Sequence, residues 1–156
     1  MFYRVGQFFK AIFSKLTDED RVFINKYLLP SDREVFNKLP THEKKHSINV
    51  ARYVMENNNV DDNIIRATLL HDVGKINSGL NPFFKGAIVI MDGISPSITK
   101  KLSFIKPVRV YYNHPSIGGK IYRDRDEFVA FIVENHHNPK CCDPIVTMVR
   151  EADCKN

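Results

Sequence analysis

Apolar residues recur at helical spacing in segment after segment of this chain. Phe2, Val5, Phe9, Ile12, Phe13 and Leu16 predict an amphipathic helix over 2–16, with Arg4, Lys10 and Lys15 interspersed. Its apolar stripe is expected to pack on the same domain or on a second subunit, with a membrane surface as the lesser alternative. Thr17-Asp18-Glu19-Asp20 reads as a capped start, followed by Val22, Phe23, Ile24, Tyr27 and Leu28 and stopped at Pro30. A short helix over 31–39 precedes Pro40. Thr41 can cap another, running to about residue 55 and closed by Asn57-Asn58-Asn59; its inward stripe is His46, Val50 and Val54. Asp61-Asp62 starts a helix whose Ile64, Ile65, Ala67, Leu69 and Leu70 are apolar nearly all round, the pattern of a central, buried element.

The second half is less regular. Residues 77–82 read as a loop, and 83–91 fit a buried helix or a strand equally well. A short polar helix is expected over 95–103. Residues 108–112 are β-type but have no evident partner strand, which favours a helix or an extended connection. His114-Pro115-Ser116 looks like a helix start with the proline in its first turn. Asp126 or Arg125 opens a helix through Phe128, Val129, Phe131, Ile132 and Val133 to His136-His137, ended by Asn138-Pro139. Asp143-Pro144 begins the last one. The expected fold is all-α, in a single domain.

Composition narrows the class. At 156 residues and 43% hydrophobic, the chain suits one globular domain and is too short for two. No apolar run approaches about 18 residues and the start lacks a signal pattern, so a cytoplasmic protein is expected, with membrane contact the lesser alternative. Cys141, Cys142 and Cys154 are an odd count with two adjacent, which favours reduced thiols; zinc ligation by the first two with His136 and His137 lacks a C-x-x-C spacing. A net charge of +5 suits an anionic substrate. The basic residues are spread along the chain, and no obligatory nucleic acid partner is indicated.

The chemistry concentrates at Leu69-Leu70-His71-Asp72-Val73-Gly74-Lys75. His71 and Asp72 follow directly on an apolar helix, and Gly74 is expected to end that helix in the left-handed conformation. Histidine offers one ring nitrogen and aspartate two oxygens, so both can meet one metal ion. An aspartate can also bridge two ions about 3.5–4 Å apart. His46 shares a stripe with core valines, His114 would be kept neutral at a helix N-terminus, and His136 follows Val129, Ile132 and Val133 on the inward face. His137 lies at the edge of that stripe, and Asp153 comes seven and four residues after Val146 and Val149. Each has an ordinary reading as a core histidine, a cap or a frayed end. Their convergence from five helices favours a metal centre.

The ordered set His, then His-Asp, then Asp, all on helices, resembles the signature of the HD-domain metal-dependent phosphohydrolases. Here it reads Lys45-His46-Ser47, His71-Asp72-Val73-Gly74-Lys75 and Ala152-Asp153, and the resemblance implies an HD-type helical bundle as the metal-binding core over 41–156, with 1–40 as an N-terminal helical extension. The resemblance implies metal ligation by His46, His71, Asp72 and Asp153. His114-Pro115 and His136-His137 match the additional histidines of binuclear relatives, which implies two divalent transition ions, Fe or Mn first, with Zn, Ni, Co or Mg as alternatives. Asp72 would then bridge the ions, His114 and His136 would hold the second, and His137 would be a ligand or a substrate contact.

The implied activity is hydrolysis of a phosphoester or phosphoanhydride bond in a nucleotide or dinucleotide by a metal-activated water. Asp72 and Lys75 are the expected catalytic residues, with Lys75 neutralising a substrate phosphate. The Gly-Tyr-Pro segment of cyclic-di-GMP phosphodiesterases is absent after His136-His137, as is the Glu-Asp pair of (p)ppGpp hydrolases after His71-Asp72. Cyclic-di-AMP or a dinucleoside polyphosphate stays open. The alternatives are an HD-type di-iron oxygenase and a non-catalytic ligand-binding module. A small phosphorylated molecule is the expected partner, and a homodimer is compatible.

Overall fold

The computed structural model describes residues 15–79 and 81–156, so the helix expected over 2–16 lies almost wholly outside the described residues. Helices follow one another in the order α1 (Asp18–Tyr27), α2 (Pro30–Phe36), α3 (Thr41–Asn57), α4 (Asp62–Leu70), a 3-10 turn at Val73–Lys75, α5 (Pro82–Ile94), α6 (Pro96–Lys101), α7 (Lys106–Tyr122), α8 (Glu127–Asn135) and α9 (Pro144–Lys155). No strand occurs among the described residues, and the chain is all-α. None of the described helices is long and apolar enough to cross a membrane.

Local sequence explains most helix starts. Thr17 and Asp20 form a reciprocal capping box at α1, and the side chains of Asp61, Asp126 and Asp143 accept amides at the first turns of α4, α8 and α9. Residues 83–91, left open by periodicity, are helical: Asn81 caps α5 through the amide of Phe84.

Three expectations are corrected. Thr41 does not cap α3 but is its first residue, and Pro40 stands at the cap with no side-chain hydrogen bond. His114-Pro115 is not a helix start, because α7 begins eight residues earlier with its own proline at the first turn and carries Pro115 in its interior. Gly74 is not left-handed either. Positive φ occurs at Asn77 and Gly79, which turn the chain after Lys75. What residue 74 requires is the absence of a Cβ, since one built there would stand 1.8 Å from the carbonyl oxygen of His114 and 2.8 Å from the amide of Gly118.

The main core is shared by α1–α4 and α7–α9. Leu69, Leu70 and Val73 meet Ile48, Val50 and Val54 of α3, Val129, Ile132 and Val133 of α8, and Val146 and Val149 of α9. Phe23, Ile24, Leu28, Val35, Phe36 and Leu39 belong to the same cluster, so α1 and α2 are part of the core and not an appendage. Each such burial stabilises by about 1.5–3 kcal/mol relative to exposure. Buried ion pairs fix the register: Asp20 takes Lys45 and Arg52 of α3, while Arg66 of α4 joins Asp32 of α2 to the α8 cap Asp126, each at 2.6 Å.

Helices α5 and α6 stand apart from this core. They pack on each other and on α7 through a small cluster of Ile88, Val108 and Val110, with Leu102, Tyr111, Tyr112 and Ile117 at its margin.

Candidate metal centre

The central helix ends where the chemistry begins. Helix α4 stops at Leu70, His71 caps it, and the chain passes through Asp72 into the turn that packs against α7. This puts His71 and Asp72 in the middle of the bundle with almost no solvent exposure. Around them α3 brings His46, α7 His114, the end of α8 His136 and His137, and α9 Asp153.

Asp72 divides the surrounding histidines between its two oxygens. Oδ2 lies 3.5 Å from His71 Nε2 and 3.7 Å from His46 Nε2; Oδ1 lies 3.3 Å from His114 Nε2 and 3.9 Å from His136 Nε2. Asp153 completes the first side, with Oδ1 at 2.8 Å from His46 Nε2 and 3.6 Å from His71 Nε2. Its Oδ2 is 3.7 Å from Nε2 of His137, whose side chain is 44% exposed at the rim. Three sets of candidate ligand atoms each fall within 4.8 Å of one another: His46, His71 and Asp72; His114, His136 and His137; and His71, His136 and Asp153. All seven metal ligands expected from the sequence therefore meet in one place.

One device orients three of the rings. Nδ1 of His71, His114 and His136 each donates to the carbonyl three residues earlier, Thr68 at 2.7 Å, Tyr111 at 2.8 Å and Val133 at 2.7 Å. A carbonyl oxygen only accepts, so Nδ1 carries the proton and a neutral ring points a bare Nε2 lone pair into the cluster. Those carbonyls can take a ring N–H for a structural reason. Thr68 and Val133 lie in the last turns of α4 and α8, where no amide four residues on reaches them, and the Thr68 carbonyl takes the His71 cap amide besides, at 3.3 Å. Tyr111 lies mid-helix, but the amide that would reach it belongs to residue 115, a proline with no N–H. Pro115 thus does inside a helix what a helix end does for the other two.

The same atoms are left without partners. Nε2 of His71, His114 and His136 and Oδ1 of Asp72 are buried and make no hydrogen bond. Lone pairs facing one another at these distances repel unless a cation lies among them. Borderline imidazole nitrogens with hard carboxylate oxygens suit a divalent transition metal, and the residues fit such an ion.

Titration directions agree. Burial alone would depress the His71 imidazole, but Asp72 and Asp153 outweigh it and the pKa goes up, so positive charge is favoured at that position. Burial and the neighbouring His71 hold His136 well below the usual range, and burial pushes His137 down to about 4, leaving both unprotonated near neutrality. Asp72 and Asp153 stay ionised. Burial opposes this, but Lys75 and His71 prevail at Asp72, and the His46 hydrogen bond with the neighbouring His71 prevails at Asp153.

Lys75 is buried and doubly engaged, 2.6 Å from Asp72 Oδ2 and 3.2 Å from Glu43 Oε2. Two of the three N–H donors of its ammonium are thereby committed. Glu43 was not marked by the sequence reading, although it lies one turn before His46 on the same helix and that i−3 spacing could have signalled it. It is fully buried and also takes Lys85 of α5 at 2.9 Å. No sequence signal marked Lys85. The three cysteines are free thiols, and none belongs to a candidate metal group among the described residues.

Pro115→Ala should separate stability from ligation. The alanine amide would compete with His114 Nδ1 for the Tyr111 carbonyl, while an interior proline, costing up to about 3 kcal/mol, would be relieved. The expected result is an equal or higher melting temperature with metal affinity reduced about tenfold, the scale of losing a ligand's outer hydrogen bond. Calorimetric metal titration of the apo-protein beside a thermal melt checks both.

Comparison of the chain with protein-family models, with curated proteins and with solved structures finds no match.

Proposed function

We propose that this protein is a metal-dependent phosphohydrolase of the HD-domain type, acting on a nucleotide or dinucleotide through a binuclear centre. One observation carries the reading: the two oxygens of a single buried carboxylate, Asp72, face two different pairs of histidines. His46, His71 and Asp153 would hold one ion, His114 and His136 the other with His137 at its rim, and Asp72 both. Ions bound there would supply Lewis acidity toward a phosphoryl oxygen and bring the pKa of water toward neutrality.

The chain's own groups do the rest. Carbonyls of Thr68, Tyr111 and Val133 hold three rings as neutral donors of fixed orientation. Lys75 fixes Asp72 through Oδ2 and is itself fixed by Glu43, so the bridging carboxylate is held from behind by a buried ion pair. His137, unprotonated and half exposed at the rim, would donate its one ring N–H to a substrate phosphate oxygen or complete the second ion's donors.

Elemental analysis of untagged protein purified anaerobically without chelator tests this reading. About two equivalents of iron, manganese or a similar ion per chain are expected, removed together by chelation and restored together on reconstitution. One equivalent would reduce the centre to the His46, His71, Asp72 and Asp153 side; none after reconstitution would refute it. Nucleotide turnover measured with and without dioxygen then separates hydrolysis, which needs none, from the di-iron oxygenase alternative.

A further inference from the structure

Helix α5 has its polarity reversed. Ala87, Ile90, Met91 and Ile94 fall at i, i+3, i+4 and i+7, with Phe84 alongside, and together they occupy about 120° of the helix circumference. That arc points to solvent, while among the described side chains of α5 only Ile88 is buried. Ile90 is 62% exposed and Ile94 80%, and beyond the helix Ile98 is 58% and Phe104 77% exposed. An outward arc without one charged side chain is the reverse of an ordinary surface helix.

The charges around it are of one sign. Residues 82–109 hold Lys85, Lys100, Lys101, Lys106 and Arg109 against the single carboxylate of Asp92, which is engaged by the Tyr112 hydroxyl. Lys100, Lys101, Lys106 and Arg109 are exposed. A second copy brought to this face by a two-fold axis would set these cations against their own equivalents, so the charge pattern disfavours self-association and favours an anionic partner. The apolar side chains are spread over α5, α6 and the 102–105 turn, and none lines the clefts beside Tyr53 or His42. Apolar groups standing on several short elements and ringed by lysines suit fluid acyl chains under anionic headgroups. At 13 residues α5 is too short to span a bilayer and would lie in its plane.

We infer that the α5–α6 face docks on anionic lipid bilayers, whereas the sequence made membrane contact the lesser alternative and offered it for the helix over 2–16. The face lies on the helix that Lys85 ties to Glu43, so a docked protein would hold its candidate metal centre close to the membrane.

The test is sedimentation of the full chain with vesicles of phosphatidylcholine alone and with 30% phosphatidylglycerol, at low and high salt. Binding is expected only to the anionic vesicles, weakened by salt, and reduced at least tenfold by Ile90→Asp with Ile94→Asp and by Lys100→Glu with Lys101→Glu. All four positions are exposed, and unchanged circular dichroism would show that the variants fold. No binding to anionic vesicles would overturn the inference. So would binding indifferent to the isoleucine pair, which would place the contact elsewhere on the chain, or a solution dimer that the isoleucine pair dissolves, which would make the face an interface between copies.

Discussion

Asp72→Asn is expected to abolish turnover and to release metal from both sides of the centre, not from one. The substitution keeps the shape of the side chain, and an amide oxygen can still accept from Lys75, which also keeps Glu43 at 3.2 Å. The charge shared between the two histidine pairs is lost. Losing an outer hydrogen bond to a ligand typically costs 10–100-fold in metal affinity, and removing the group that faces all four imidazoles should cost more than about 100-fold at each position. Asp153→Asn gives the contrast, because its carboxylate lies beside His46, His71 and the rim residue His137 only. It should deplete one equivalent and leave the other.

The measurement is metal content after gel filtration, with a melt to show that both proteins are folded. If Asp72→Asn keeps two equivalents and its activity, the shared-carboxylate reading is wrong. If both variants lose one equivalent each, Asp72 serves a single ion and the histidines of α7 and α8 have another purpose.

How far the sequence leads depends on where each signal originates. The caps at Asp61, Asp126 and Asp143 are local chemistry, and the helices begin there. His46, His136 and Asp153 were placed by stripe position, because a polar residue in phase with core valines has to face the core. His114 was placed correctly by a mistaken route. Reading Pro115 as a first-turn residue made His114 a helix start, whereas the proline is interior and its missing amide is what the histidine uses. Glu43 stands one turn before His46, a spacing that marks it, whereas Lys85 carries no such mark: its pairing with Glu43 joins α3 to α5, and no periodicity within one helix reports a contact between two. The outward apolar arc of α5 was equally hidden, since periodicity shows that a stripe exists and not which way it points.

Gly74→Ala should be the most damaging substitution that replaces no ligand. The new methyl would meet the His114 carbonyl oxygen at 1.8 Å, and contacts below 3.0 Å essentially do not occur, so the turn and α7 must separate by at least about 1 Å. Neither side can yield cheaply. The obstruction is backbone, and on the other flank Gly118 is pressed against Val133, where a Cβ would already stand 2.6 Å away. Overpacking of this kind costs about 1–3 kcal/mol and more where backbone has to move. A loss near 3 kcal/mol would lower the melting temperature by about 6–12 °C in a chain of this size. Because His114 rides on α7, its Nε2 would retreat from Asp72 Oδ1 and the α7 side of the centre should lose its ion first. Gly79→Ala separates this from a general glycine effect. Residue 79 has φ +70 and needs glycine for conformation, with only Pro107 Cγ near a new methyl at 3.9 Å, so its cost should be about 1–2 kcal/mol of left-handed strain. Melting curves and metal content for the two variants decide the matter: both lower stability, and only Gly74→Ala lowers metal occupancy. Equal occupancy in both would mean that the close approach of residue 74 to α7 serves the fold alone.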